Sequence, residues 1–77
     1  MGNIQPARHL TDKEKYRETM DIFFKGASHP SVLRAKELME QMNEFGYTDF
    51  NKNIKVIQKF RNQNQMNDVV TIFQEVD

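Results

Sequence analysis

Apolar residues recur at helical spacing in four separate stretches of this chain. Tyr16, Met20, Phe23 and Phe24 stand at i, i+4, i+7 and i+8, which is one face of a helix. Val32, Ala35, Leu38, Met39, Met42 and Phe45 make a second stripe, with Glu37, Glu40, Glu44 and Leu33 lying off it. Phe50, Ile54, Ile57 and Phe60 make a third, with Val56 at its edge and Lys52, Lys55 and Lys59 on the opposite side. Met66, Val69, Val70, Phe73 and Val76 make the fourth. Its β-branched content would also suit a strand, but Val69-Val70 and Ile72-Phe73 do not alternate, so the spacing predicts a helix. Ile72 falls about 100° from the centre of that fourth stripe and is expected at a shoulder or on an exposed face.

The breaks between stripes carry helix punctuation. Thr11-Asp12-Lys13-Glu14 has the form of a capping box: the Thr hydroxyl can take the N–H three residues on, and the Glu can reach back. Gly26 ends the first pattern, and Pro30 suits the first turn of the next, where its missing N–H is not needed. Gly46 is a natural stop for the second helix, with Thr48 or Asp49 free to cap the third. The polar run Arg61–Gln65 breaks the third pattern, and Asn64 is the expected cap of the last helix. The prediction is an all-α chain. Residues 1–10 form a disordered lead, residues 11–26 an N-terminal amphipathic helix, and residues 30–77 a close-coupled three-helix bundle.

With 77 residues, one domain is the ceiling, and a domain this size buries only about 60% of its unfolded surface. There is no cysteine, so neither a disulfide framework nor a thiolate metal site is available. No apolar run is long enough to span a bilayer, and no signal-peptide pattern is present; an intracellular protein is expected. Met1-Gly2 is not read as a myristoylation start, because Pro6 occupies the position where that motif wants Ser or Thr. Formal net charge is zero, so general attraction to nucleic acid or to an anionic membrane is not expected. The zero conceals alternation. Residues 29–50 are rich in acids, residues 51–61 carry Lys52, Lys55, Lys59 and Arg61 without an acid, and residues 62–77 carry Asp68, Glu75 and Asp77 without a base. Segments of this kind attract one another when packed side by side.

No catalytic constellation emerges. His9 and His29 are far apart in sequence, which offers neither a metal pair nor a general base with an orienting partner. Ser28 and Ser31 sit in a capping region, and no glycine-rich phosphate loop exists. The chain reads as a non-enzymatic interaction module without cofactor or metal, its partner another protein.

Phe45-Gly46-Tyr47-Thr48-Asp49 joins the second and third helices and leaves two aromatic rings at the corner. Met42 lies three residues upstream; Asn53-Ile54 and Val56-Ile57 follow in the next helix, and Met66-Asn67-Asp68-Val69-Val70-Thr71-Ile72-Phe73 in the last. In this order the residues of about 32–77 resemble a ubiquitin-associated (UBA) domain, a compact three-helix bundle whose first loop carries Met-Gly-Phe or Met-Gly-Tyr. The Val-Val-Thr run is similar to that of UBA domains in autophagy receptors. Phe45 stands where the family has Met, and Gln74 where it has the second of a leucine pair. The resemblance implies a small UBA-like bundle with an additional N-terminal helix. It also implies ubiquitin binding through Phe45, Gly46, Tyr47, Ile72 and Gln74, with Glu44, Asp68 and Glu75 as an acidic rim toward a basic-edged partner.

A different class of function is carried by the first helix. Its stripe of Tyr16, Met20, Phe23 and Phe24 is expected first of all to pack on the rest of this chain, since core stripes outnumber docking stripes; the competing reading is a docking face that assembles a complex without ubiquitin. Two weaker readings are a helix-turn-helix DNA reader using the lysine stripe, and an aromatic-x-x-β-branched docking motif at Phe73-Gln74-Glu75-Val76. Zero net charge counts against the first, and the core-stripe positions of Phe73 and Val76 against the second.

Overall fold

The computed structural model describes residues 10–76, so the lead expected over residues 1–10 lies, except for Leu10, outside the described residues. Four α-helices follow one another: α1 (Asp12–Phe23), α2 (Pro30–Glu44), α3 (Phe50–Asn62) and α4 (Val69–Val76). There is no strand among the described residues. The main packing pairs are α1 with α2, α2 with α3, and α3 with α4.

Each helix start is chemically specified. At α1 the capping box closes in both directions: the Thr11 N–H donates to Glu14 Oε1 (2.8 Å) and the Glu14 N–H to Thr11 Oγ1 (3.2 Å). At α2 the cap is His29, whose Nδ1 accepts from the Ser31 N–H at 3.1 Å, and Pro30 takes the first helical position. At α3 Asp49 Oδ1 accepts from the Lys52 N–H at 3.1 Å.

The helix ends are equally local. Gly46, with φ of +95°, closes α2, and the Tyr47 N–H then reaches back to the Met42 carbonyl (2.9 Å) in a Schellman-type stop. Asn64 does for α3 what Gly46 does for α2. Its φ is +58°, and the Gln65 N–H reaches back to the Phe60 carbonyl at 2.8 Å. Asn64 therefore terminates α3 and does not cap α4. The α4 start belongs to Asp68, whose Oδ1 accepts from the Thr71 N–H (3.2 Å) while Oδ2 accepts from the Thr71 hydroxyl (2.8 Å). Asn tolerates the left-handed region better than most residues with a Cβ, and Asp is a strong cap, so the capping role expected of Asn64 falls to Asp68.

The core is one cluster: Tyr16, Met20 and Phe24 from α1 and its end, Ala35, Leu38, Met39 and Met42 from α2, Ile57 and Phe60 from α3, and Ile72 and Val76 from α4. α1 is thus part of the domain's interior. The stripes predicted for α2 and α3 face inward, except that Phe45 points out at the end of α2.

The face of α4 is rotated from the one expected. Met66 lies in the turn before the helix, out of phase with it. Starting from Val69, the inward set is Val69, Ile72, Phe73 and Val76, and Val70 turns to solvent. Ile72 is fully buried, at 0% exposure. Counting Met66 as helical displaced the predicted stripe and put Ile72 on its shoulder.

Two asparagines are also buried. Asn53 Nδ2 donates to Tyr16 Oη (2.9 Å) and to the Tyr47 carbonyl (2.8 Å), and the Tyr16 hydroxyl donates to the Met39 carbonyl (2.8 Å). Asn43 Nδ2 donates to the Lys13 carbonyl at 3.2 Å, a second tie between α1 and α2. A buried polar group without a partner costs stability, so these bonds fix how the helices meet.

Candidate functional site

The corner after α2 and the outer side of α4 enclose an open, mainly apolar groove of about 520 Å³. Phe45, Tyr47, Val69, Val70 and Phe73 line it, with Gln41 and Gln74 adding amide groups. Gly46 makes the corner possible. A Cβ there would meet nothing within 4 Å, so the demand for glycine is the positive φ and not crowding. The turn turns the chain sharply enough that Phe45 and Tyr47 both reach the same ring of α4. Phe45 meets Phe73 edge-on with centroids 5.3 Å apart, and Tyr47 meets it edge-on at 6.0 Å. Phe73 is half-buried and serves as the floor, whereas Phe45 and Val70 are 71% and 69% exposed.

Such exposure is unusual for large apolar side chains held beside one another on a domain this small. Singly exposed apolar residues are ordinary, and Leu10, Ile22 and Leu33 are of that kind here. No protein-family model, curated protein or solved structure matches the chain. The groove must therefore be read from its own chemistry.

Of the five residues expected to touch a partner, Phe45, Tyr47 and Gln74 line the groove and Gly46 sits within the corner that shapes it. Ile72 is a correction. It packs in the core and presents no side chain to a partner in this conformation. Val69, Val70, Phe73 and Gln41 line the groove without having been expected there. The signal for Val70 and Phe73 was their place beside Gln74 on the last helix, hidden by the shifted face assignment.

The stripe of the first helix packs on the rest of the chain, and the alternative docking face is not available to a partner. Tyr16, Met20 and Phe24 are buried in the core. Only Phe23 is exposed, and its ring lies edge-on to Phe24 (4.9 Å) and to Phe50 (5.6 Å). That stripe is used by α2 and α3.

The acids proposed as a rim all have work within the chain. Glu44 pairs with Arg17 at 3.4 Å, Glu75 with Lys59 at 2.9 Å, and Asp68 caps α4. The two ion pairs join α1 to α2 and α3 to α4; the second, Lys59 with Glu75, is an attraction between the basic and acidic segments that the sequence pattern suggests. Both are exposed and so are weak. Lys52 and Lys55 face solvent.

No group of three or more His, Cys, Asp or Glu among the described residues could hold a metal ion. No helix among them is long and apolar enough to cross a membrane. Phe73 and Val76 belong to α4, with Val76 buried, so the four residues from Phe73 are not presented as an extended peptide.

Proposed function

We propose that this domain is a protein-interaction module that binds ubiquitin in the groove between the Phe45-Gly46-Tyr47 corner and α4. The observation that carries the reading is the groove itself. It brings the corner aromatics and the outer face of the last helix together in one apolar surface. That is the pair of elements through which the UBA resemblance implies contact. The helix order, the glycine stop after α2 and the short α4 are consistent with a UBA-like bundle over α2 to α4.

Contact is made by Phe45, Tyr47, Val70, Phe73 and Gln74, with Gly46 allowing a partner backbone to come close. Aromatic side chains dominate binding energy where they enter apolar pockets. The surface is small, so affinity is modest, about −4 to −6 kcal/mol. With its acids already paired, the rim adds salt-sensitive steering and little affinity.

The test is a titration of isotope-labelled protein with ubiquitin, followed by NMR. Shifts are expected at the corner and along the outer side of α4. Phe45→Ala and Val70→Asp should each remove most of the binding while the fold persists, because both side chains are largely exposed. Lys52→Ala should leave binding unchanged. Shifts confined to the lysine face of α3, or none at millimolar ubiquitin, would overturn the proposal.

A further inference from the structure

The groove's corner is tied to a helix that never reaches the groove. Asn53, on α3, uses both hydrogens of its buried amide: one goes to the Tyr47 carbonyl (2.8 Å) and the other to Tyr16 Oη of α1 (2.9 Å). The Tyr16 hydroxyl in turn donates to the Met39 carbonyl of α2 (2.8 Å). Tyr16 is 2% exposed and Asn53 is 1% exposed, so water does not replace either partner. Asn53 therefore cannot turn toward another acceptor without leaving a buried N–H unmade. Its orientation is set from one side by α1 and transmitted on the other to the peptide unit that joins Tyr47 to Thr48.

We propose that Tyr16 and Asn53 are positioning residues for the groove, α1 acting through Tyr16 and Asn53 to hold the Tyr47 peptide, and hence the corner aromatics, in the binding shape. This rests on reading the groove as a binding site and is independent of ubiquitin being its ligand. α1 thereby acquires a role in recognition, although Tyr16, Met20 and Phe24 are hidden from any partner.

The test reads the corner without a ligand. Tyr16→Phe and Asn53→Ala are compared in the full chain with Ile57→Val, a buried change on α3 that touches no hydrogen bond of the network. Circular dichroism confirms that each is folded. Tyr16→Phe removes two neutral hydrogen bonds, of which the one from Asn53 leads to the corner; amide hydrogen exchange at Gly46 and Tyr47 should rise about five-fold, the effect of that one bond. The Tyr47 carbonyl ¹³C resonance should move with it. Ile57→Val should leave both readouts in place relative to the rest of the domain. In a double-mutant cycle, the effect of Tyr16→Phe at Tyr47 should vanish once Asn53 is alanine.

Should Asn53→Ala fail to fold, the Tyr16→Phe and Ile57→Val comparison decides. An unmoved Tyr47 in Tyr16→Phe, or an equal rise in Ile57→Val, overturns the proposal. Ubiquitin enters last: its affinity for Tyr16→Phe should fall several-fold. If the wild type shows no ubiquitin shifts, the proposed function fails, while the exchange comparison still decides this one.

Discussion

Replacing Ile72 with alanine removes Cγ1, Cγ2 and Cδ1 from a site with no exposure at all. At about 0.8 kcal/mol for each carbon, the lost transfer energy alone is about 2.4 kcal/mol. Its neighbours on α4 belong to a short helix of eight residues, Val69–Val76. A cavity term adds to the transfer loss unless α4 collapses inward, giving a total of about 3–4 kcal/mol. A domain of this size is stable by about 4–11 kcal/mol in all, so the variant gives up a large share of its margin. Urea unfolding followed by circular dichroism is the assay. With a slope of about 1.5 kcal/mol per molar, the midpoint should fall by about 2 M while the slope itself holds. Phe45→Ala should move the midpoint far less, because Phe45 is mostly exposed. A midpoint for Ile72→Ala within about 0.3 M of wild type would show that Ile72 is a surface residue, and the phase assigned to α4 would be wrong.

Two further outcomes follow from the same geometry. Burial pushes the Tyr16 hydroxyl up to about 12, with the Asn53 hydrogen bond pulling the other way. The neutral form is therefore favoured in the fold. This contribution is complete below the ordinary tyrosine value of 10.0 and is lost as pH rises from there through about 12, a slope that Tyr16→Phe should abolish in alkaline melts. The Lys59–Glu75 pair between α3 and α4 is exposed on both sides, so a double-mutant cycle should return a coupling of about 0.2–1 kcal/mol that shrinks in high salt.

The helices were legible because their signals are local. A capping box at Thr11, a proline at the first turn of α2 and a glycine after its last turn act within a few residues and need no tertiary context. The faces of α2 and α3 were legible because each carries a long apolar stripe over three turns or more. α4 was harder for a physical reason. It is short, it follows a turn that contains an apolar residue, and its five apolar side chains include the adjacent pairs Val69-Val70 and Ile72-Phe73, so periodicity alone does not fix its phase. Asn53 stands at i, i+4, i+7 with Ile57 and Phe60; a polar residue inside an apolar stripe was the trace of the buried network. The partner atoms, Tyr16 Oη and the Tyr47 carbonyl, lie in distant parts of the chain and could not be inferred from spacing. The groove needs the corner and α4 to meet, which is likewise a tertiary event. Phe45, Tyr47 and Gln74 were found through resemblance, whereas Val69, Val70 and Phe73 required the true phase of α4.

The principal helix contacts run between neighbours along the chain, α1 to α2, α2 to α3 and α3 to α4. A search for the native arrangement therefore involves mainly short closures, and topologies of this kind fold in about microseconds to milliseconds. The groove is the exception, because its two walls come from the end of α2 and from α4 with the whole of α3 between them. An eight-residue helix is too short to persist in water alone, so the last wall exists only after α4 has docked. The groove is therefore the last feature of the fold to form, because it needs α4 in place against the corner. If the groove binds a partner as proposed, local opening of α4 would abolish that binding before α1 to α3 come apart.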